Sequence, residues 1–249
     1  MSGHSKWKTN KGKKMAADAA KGAIYTKIIK EITVAARDAG GNPDTNTRLR
    51  ALIAKAREAN MPSDNIKTAI KRGTGELPGI VYETVIYEAY GPSGVAIMIE
   101  ALTDNKNRTS AELRNLLSKK SGNFAGSGAV SWMFSKKGYI LVEKPVKIKE
   151  DDLMSVCLDA GCEDMKSDEK NYEITCQPQD LEKVKSALKE KGINWQTAEV
   201  TMVPASSIKV TGASAKQVLD LVEALEEHED VQNVYANFDI PDEILEQVS

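Results

Sequence analysis

The chain has 249 residues, 41% hydrophobic and 28% charged, so it is long enough for two or three domains with their own cores. Its two histidines and three cysteines, with no C-x-x-C spacing, are too few and scattered for a zinc site, and we expect reduced cysteines. No apolar run approaches the roughly 20 residues that span a bilayer, and the N-terminus lacks the apolar core of a signal peptide. We therefore expect a cytoplasmic protein without membrane contact.

Charge is divided unequally along the chain. Residues 1–72 contain sixteen lysines and arginines against six acidic residues, a net charge of +10, whereas the whole chain carries −2. The remaining residues are therefore strongly acidic. A segment this basic attracts polyanions, and nucleic acid is the commonest polyanion that a protein meets in the cell. The pattern predicts one nucleic-acid-binding end and an acidic body that offers a surface to a protein partner.

The first 15 residues are rich in lysine and contain neither acids nor apolar periodicity. We expect a flexible basic arm here. Trp7 stands among these lysines without an apolar neighbour. It could stack on a nucleic-acid base or pack into the domain that follows, and the sequence does not decide between the two.

Residues 16–78 are predicted to form a helical domain. Apolar residues recur at spacings of three and four over 16–39 and 45–60, and a short third helix follows from Ser63. Three amphipathic helices joined by short turns predict a small bundle with a basic exterior. The arm and this bundle together supply the predicted nucleic-acid-binding residues, which are Lys6, Trp7, Lys8, Lys11, Lys13, Lys14, Lys27, Lys30, Arg37, Arg48, Arg50, Lys55, Arg57, Lys67, Lys71 and Arg72.

Beyond residue 79 strands alternate with helices. One compact β-α-β-β-α-β unit is predicted within 139–204, the ferredoxin-like order. A second set of elements gives the same order around it, with strands predicted at 95–101, 130–134, 207–210 and 231–239. We therefore predict an α+β fold, in which an N-terminal three-helix bundle is followed by two ferredoxin-like α/β domains, the third inserted into the second. The predicted boundaries are 1–15 for the arm, 16–78 for the helical domain, 79–135 with 205–240 for the second domain, 136–204 for the inserted domain and 241–249 for a C-terminal tail.

Catalytic motifs are absent from the sequence. The glycine-rich stretch 122–128 lacks the closing Gly-Lys-Ser/Thr of a P-loop, and the two histidines lie near opposite ends of the chain. We predict that the protein is not an enzyme and needs neither cofactor nor metal.

The polar segment 104–109 has two interpretations. It could make a second nucleic-acid contact through Asn105, Lys106, Asn107 and Arg108 at a helix N-terminus. It could instead be a helix cap with solvated side chains, and capping alone explains Asp and Asn at this place.

Several separated motifs make the chain resemble the YebC/PmpR family. They are GHSKW at 3–7, ANMPSDNI at 59–66, IKRGTGE at 70–76, YEAYGPSGVAI at 87–97, LTDNKNRT at 102–109 and GAVSWMF at 128–134. The resemblance implies one helical and two α/β domains and a role as a probable transcriptional regulator. Mitochondrial relatives are translational activators, and bacterial relatives have been linked to relief of ribosomes stalled on proline-rich stretches. Many members carry a His-Arg pair after GHSKW, whereas residues 10–14 of this chain keep the charge without the imidazole.

We therefore predict a non-enzymatic regulator of gene expression that binds DNA through its basic arm and helical domain. The alternative is a ribosome-associated translation factor that uses the same surface on ribosomal RNA. A third possibility is an interaction scaffold whose basic end binds acidic proteins.

Overall fold

A computed structural model describes residues 18–146, 148–241 and 244, with the backbone alone for 18–21. The predicted arm, including Trp7 and the lysines at positions 6–14, lies outside the described residues, as does most of the predicted tail. The described chain falls into two compact units. One contains the residues up to Ala129 together with Ala213–Val234, and the other contains Val130–Gly212 with the residues from Tyr235 onward.

Helices and strands alternate along most of the described chain. In order they are α1 Asp18–Ala39, α2 Thr47–Glu58, α3 Ser63–Gly73, β1 Glu83–Tyr90, β2 Ala96–Thr103, α4 Lys106–Lys119, β3 Asn123–Phe124, β4 Phe134–Glu143, α5 Glu150–Asp159, β5 Cys162–Ser167, β6 Asn171–Cys176, α6 Leu181–Glu190, β7 Thr197–Pro204, β8 Ile208–Lys209, α7 Gly212–Glu227, β9 Val231–Ala236 and β10 Phe238–Asp239. No helix among the described residues is long and apolar enough to cross a membrane.

The three predicted N-terminal helices are confirmed. Their apolar stripes meet in one core that contains Ile28, Ile32, Leu49 and Ile66. Asn46 sets the start of α2, because its side chain accepts the Leu49 N–H at 2.9 Å and donates to two carbonyls at the end of α1. Burying the stripes drives the helices together, since helices as short as α2 and α3 are marginal alone.

A four-stranded sheet with the order β3-β1-β2-β9 shares its compact unit with the helical bundle. Strands β1 and β2 form an antiparallel hairpin. Its turn holds Ser93 and Gly94 at φ values of 60° and 75°, which explains the Gly-Pro-Ser-Gly sequence there. Leu113 and Leu117 of α4 and Leu221 of α7 are fully buried in this unit.

The second unit contains an antiparallel sheet with the order β5-β6-β4-β7. With α5 and α6 it forms the β-α-β-β-α-β unit predicted within 139–204. Its core includes Ile140, Leu153, Ile174 and Leu188. The three cysteines are free thiols, as predicted, and all three are buried.

Two of the four strands predicted for the second ferredoxin-like domain, 95–101 and 231–239, correspond to β2 and β9, and the other two differ from the prediction. The expected strand 130–134 is instead a 3₁₀ turn over 131–133, where Val130 and Phe134 are buried and Trp132 is 72% exposed. In a strand, residues 130, 132 and 134 would share one face, so an exposed Trp132 between two buried residues does not fit strand geometry. The 207–210 strand shrinks to β8, which pairs in parallel with β10 rather than joining the larger sheet.

Strand β1 lies between β3 and β2 in the first sheet. After completing the second sheet, the chain returns to the first one through β9, which neighbours β2. Strand β4 begins at Phe134 and runs through the boundary predicted at 135/136.

Candidate nucleic-acid interface

A buried carboxylate joins three elements of the unit that contains the bundle. The side chain of Asp230, in the turn between α7 and β9, has no exposed surface. Its Oδ1 accepts from Lys30 Nζ of α1 at 2.5 Å, and its Oδ2 accepts from Arg108 Nη2 at 2.9 Å and Thr109 Oγ1 at 2.7 Å. Arg108 also donates to Asp104 Oδ1 at 2.9 Å. We call Lys30, Asp104, Arg108, Thr109 and Asp230 the Asp230 cluster.

Hydrogen bonds keep the Asp230 carboxyl group ionised. Burial by itself raises the pKa of Asp230, but hydrogen bonds from Lys30, Thr109 and Arg108 outweigh burial and hold the pKa well below its ordinary value. The backbone is fixed as well, because the Leu102 N–H donates to the Asp230 carbonyl at 2.7 Å. The cluster therefore fastens α1 and the first turn of α4 to the α7–β9 turn.

Glu112, His228 and Asp230 bring three potential metal ligands within 4.8 Å of one another. His228 already uses both ring nitrogens, since Nδ1 accepts the Asp230 N–H and Nε2 lies 3.2 Å from Glu112 Oε2. The Asp230 carboxylate is held by two cationic side chains. A divalent cation would have to displace both, so these residues do not fit a metal site.

Three of the cations predicted at the interface bind internal partners. Lys30 is only 6% exposed because of its place in the Asp230 cluster. Lys27 donates to the carbonyl of Glu226. Arg50 donates to two backbone carbonyls in the loop before α2, at 2.9 and 2.8 Å. These side chains therefore help to hold the fold.

Four further predicted cations are exposed but lie in ion pairs. The pairs are Arg37 and Arg48 with Asp38 at 3.0 and 3.8 Å, Lys55 with Glu31 at 3.0 Å, and Lys67 with Asp64 at 3.5 Å. Exposed pairs of this kind contribute about 0–1 kcal/mol to stability. A phosphate could therefore replace the carboxylate partner at little cost.

Arg57, Lys71 and Arg72 are exposed, and their side chains make no hydrogen bond or ion pair with another described residue. Arg57 lies in the last turn of α2, and the other two lie in the last turn of α3. Cations at helix C-termini also interact favourably with the helix dipole. They are nevertheless the bundle cations most available to a phosphate.

The segment predicted as a possible second contact acts as a helix cap. The Asn105 side chain accepts the Arg108 N–H at 3.0 Å, which confirms the capping interpretation. Arg108 belongs to the Asp230 cluster, and Lys106 pairs with Glu83. Asn107 is exposed at the first turn of α4. Both cations of this segment thus have acidic partners.

A pocket of about 340 Å³ opens beside the end of α3. It is lined by residues of α1, α3 and the extended segment before β1, namely Ile29, Thr33, Arg72, Pro78, Gly79, Ile80 and Tyr82. Lys30 Nζ lies 5.7 Å from the centre of the Tyr82 ring.

Sequence reasoning missed both this pocket and Asp230. The 78–82 segment carries no charge, and Asp230 ends an acidic run that is typical of a solvated helix terminus. Each gains its role only from what packs against it.

The matches to known proteins cover nearly the whole chain. The family model described as the TACO1/YebC protein N-terminal domain matches residues 5–76, and the model of the TACO1/YebC second and third domain matches residues 82–238. A relative from Dictyoglomus turgidum, named a probable transcriptional regulatory protein, is 53% identical over 249 residues and is covered completely, as is this chain. A relative of the same name from Natranaerobius thermophilus is 51% identical over 248 residues, which is 99% of each chain.

A solved structure also matches. The crystal structure of a conserved hypothetical protein from Aquifex aeolicus has a TM-score of 0.73 and 44% sequence identity, over 90% of this chain and 92% of that one. The resemblance found in the separated motifs is thereby confirmed, and the chain belongs to the TACO1/YebC family.

Proposed function

We propose that this protein is a non-enzymatic, cytoplasmic regulator of gene expression that binds nucleic acid through the basic surface of its helical domain. The observation that carries the proposal is the exposure of Arg57, Lys71 and Arg72 without acidic partners among the described residues. The net charge of +10 over residues 1–72 supplies longer-range attraction to phosphate. The name of the relatives, probable transcriptional regulatory protein, supports the regulatory role and makes DNA the first target to test.

The proposed binding depends on phosphates rather than on base edges. A helix that reads the major groove needs several Arg, Asn or Gln side chains free on one face. Arg50, which the sequence places beside Arg57 on one flank of α2, is held by two backbone carbonyls. Helix α2 therefore offers one free arginine from this flank, which is too few contacts to specify an operator.

This observation favours a second candidate, a translation factor bound to ribosomal RNA. Structured RNA is recognised largely through phosphates, shape and unpaired bases, which does not require a row of base-reading side chains. The acidic remainder of the chain would be repelled by the same RNA and would stay available to a protein partner.

Deleting residues 1–15 is expected to weaken binding to both DNA and RNA. Five lysines are removed, so the slope of log affinity against log salt concentration should become shallower by roughly 4. Fluorescence anisotropy with a labelled duplex and a labelled RNA hairpin over a KCl titration measures this. An unchanged slope would show that these lysines do not contact phosphate.

Point variants test the bundle surface separately. Arg57→Gln and Lys71→Gln should each make the salt slope shallower by about 1, since each removes one phosphate contact. The matched control is Lys189→Gln, which neutralises an exposed lysine of α6 in the other compact unit. Equal effects of all three would mean that net charge, and not this surface, controls binding.

Sedimentation of cell lysate separates the two targets. Co-migration with ribosomal particles that survives DNase treatment would favour the translation factor. DNase-sensitive association with DNA would favour the transcriptional regulator and justify a search for an operator.

A further inference from the structure

The pocket beside Arg72 is bordered by the exposed apolar segment 77–81, of which Pro78, Gly79 and Ile80 line the cavity. Leu77, Ile80 and Val81 are 39%, 56% and 69% exposed. Contiguous apolar side chains at the surface of a soluble protein often mark a ligand site. The backbone N–H groups of Gly79 and Ile80, two of the lining residues, make no hydrogen bond with another described residue.

The segment lies close against α3 because of a glycine. A Cβ atom built on Gly79 would lie 3.2 Å from the Cβ of Arg72 and 3.3 Å from its carbonyl oxygen. The absence of a side chain at Gly79 thus lets apolar residues of the segment and the Arg72 guanidinium border one small cavity.

Arg72 provides the available charge at this pocket. Burial and the nearby carboxylates of Asp104, Asp230 and Glu229 raise the pKa of the Tyr82 hydroxyl. The first two of these carboxylates are bound by Arg108 in the Asp230 cluster. On another side, Arg37 donates to the Tyr82 carbonyl at 2.8 Å. The pocket therefore combines apolar walls and one aromatic ring with an unpaired cation at its edge.

This combination suits a nucleotide better than a peptide. Proteins hold unpaired bases between aromatic or apolar side chains, with a cation on the neighbouring phosphate. A bound amphipathic helix needs a groove that follows several turns. This pocket is confined to seven lining residues, and the fully paired bases of a duplex could not enter it.

We propose that the pocket formed by Ile29, Pro78, Ile80 and Tyr82 binds one unpaired nucleobase, with Arg72 on the adjacent phosphate. The inference rests on the proposed function and narrows its target to nucleic acid with unpaired bases. Single-stranded RNA and single-stranded DNA share this chemistry.

Tyr82→Leu tests the base contact, because it removes the aromatic face and keeps an apolar side chain. Its affinity for oligouridylate should fall about tenfold, within the range for loss of one stacked base. Its affinity for an oligomer of the same length made of abasic sugars, and for a duplex, should equal that of the wild type. Ile80→Ala is a second variant at an exposed position, so an unfolded Tyr82→Leu protein would not end the test. Oligothymidylate in a parallel titration shows whether RNA or DNA is preferred.

Arg72→Gln and Arg57→Gln form a matched pair, since each removes one exposed arginine at the end of a bundle helix. Arg72→Gln should weaken oligouridylate binding more, and the two should have equal effects on duplex binding. An oligomer containing 4-thiouridine should crosslink under ultraviolet light to the peptide that contains residues 78–82.

Different failures have different meanings. Wild-type protein that binds none of these nucleic acids would overturn the proposed function itself. Wild-type binding that Tyr82→Leu and Ile80→Ala leave unchanged, or weaken equally for the abasic oligomer, would overturn the pocket alone. Saturable binding of an acidic amphipathic peptide that Tyr82→Leu abolishes, while oligouridylate binding persists, would assign the pocket to a protein and also overturn it.

Discussion

Replacing Asp230 by alanine is expected to lower the free energy of unfolding by about 3–5 kcal/mol, because it leaves buried Lys30 without its counter-charge. The Asp230 side chain is fully buried, and that of Lys30 is 8% exposed. Loss of this pair should loosen α1 from the sheet beside it. Urea unfolding followed by circular dichroism measures the energy, and faster hydrogen exchange in residues 24–37 locates the change.

Asp38→Ala is the matched control for the Asp230 variant. Its carboxylate also pairs with two cations, Arg37 and Arg48, but all three side chains are at least 43% exposed. Its loss should cost less than about 1 kcal/mol. In a double-mutant cycle, Lys30→Met should cost much less in the Asp230→Ala background than alone. Equal costs in both backgrounds would contradict a coupled buried pair.

Acid should weaken the Asp230 cluster and so destabilise the fold. The folded state holds the pKa of Asp230 below the reference value of 3.8, so the carboxylate stabilises the fold above that value. This contribution is lost as the pH falls from about 4 toward the lower folded pKa. Asp230→Asn should flatten that part of the stability curve, and a parallel curve for the variant would contradict the assignment.

Replacing Gly73 by alanine is expected to destabilise the bundle by about 1–3 kcal/mol through overpacking. A Cβ atom here would lie 2.3 Å from the carbonyl oxygen of Thr33 and 2.8 Å from the Cβ of Ala36. Both belong to α1, so α3 could accept the methyl group only by moving away. Thermal unfolding of the full chain provides the measurement.

Gly22→Ala is the same substitution, but we expect it to increase stability. Gly22 lies within α1, and a Cβ atom there meets nothing within 4 Å. Alanine should stabilise the helix by about 0.5–1 kcal/mol, since it loses less backbone entropy than glycine. Two glycine variants that shift stability in the same direction would show that close packing of α1 and α3 is not the cause.

Local patterns were sufficient for the elements that bury a regular apolar face. The stripe of Ile28 and Ile32 indicated α1, and the apolar run at 139–142 and the alternation along 171–176 indicated strands that the second sheet contains. Short segments were less predictable. Residues 130–134 contain Val, Trp, Met and Phe, yet residues 131–133 form a 3₁₀ turn, because strand formation depends on a neighbouring strand to pair with.

The candidate interface was also predictable only in part. Net charge and its position are properties of the sequence, so the basic end could be predicted from composition alone. The sequence could not show which cations stay available to a ligand, because Lys30, Arg50 and Arg57 look alike in the sequence. One is buried on a carboxylate some 200 residues away, one binds carbonyls of its own loop and one is exposed without a partner.

The sequence by itself thus determined the family, the helical bundle, the β-α-β-β-α-β unit and the polarity of charge, since each depends on residue type and short-range spacing. The tertiary structure alone decided the strand partners of the first sheet, the burial of Asp230 and the pocket at Tyr82. These depend on contacts between segments far apart in the chain, where the partner's position determines whether a charge is buried, paired or left for a ligand.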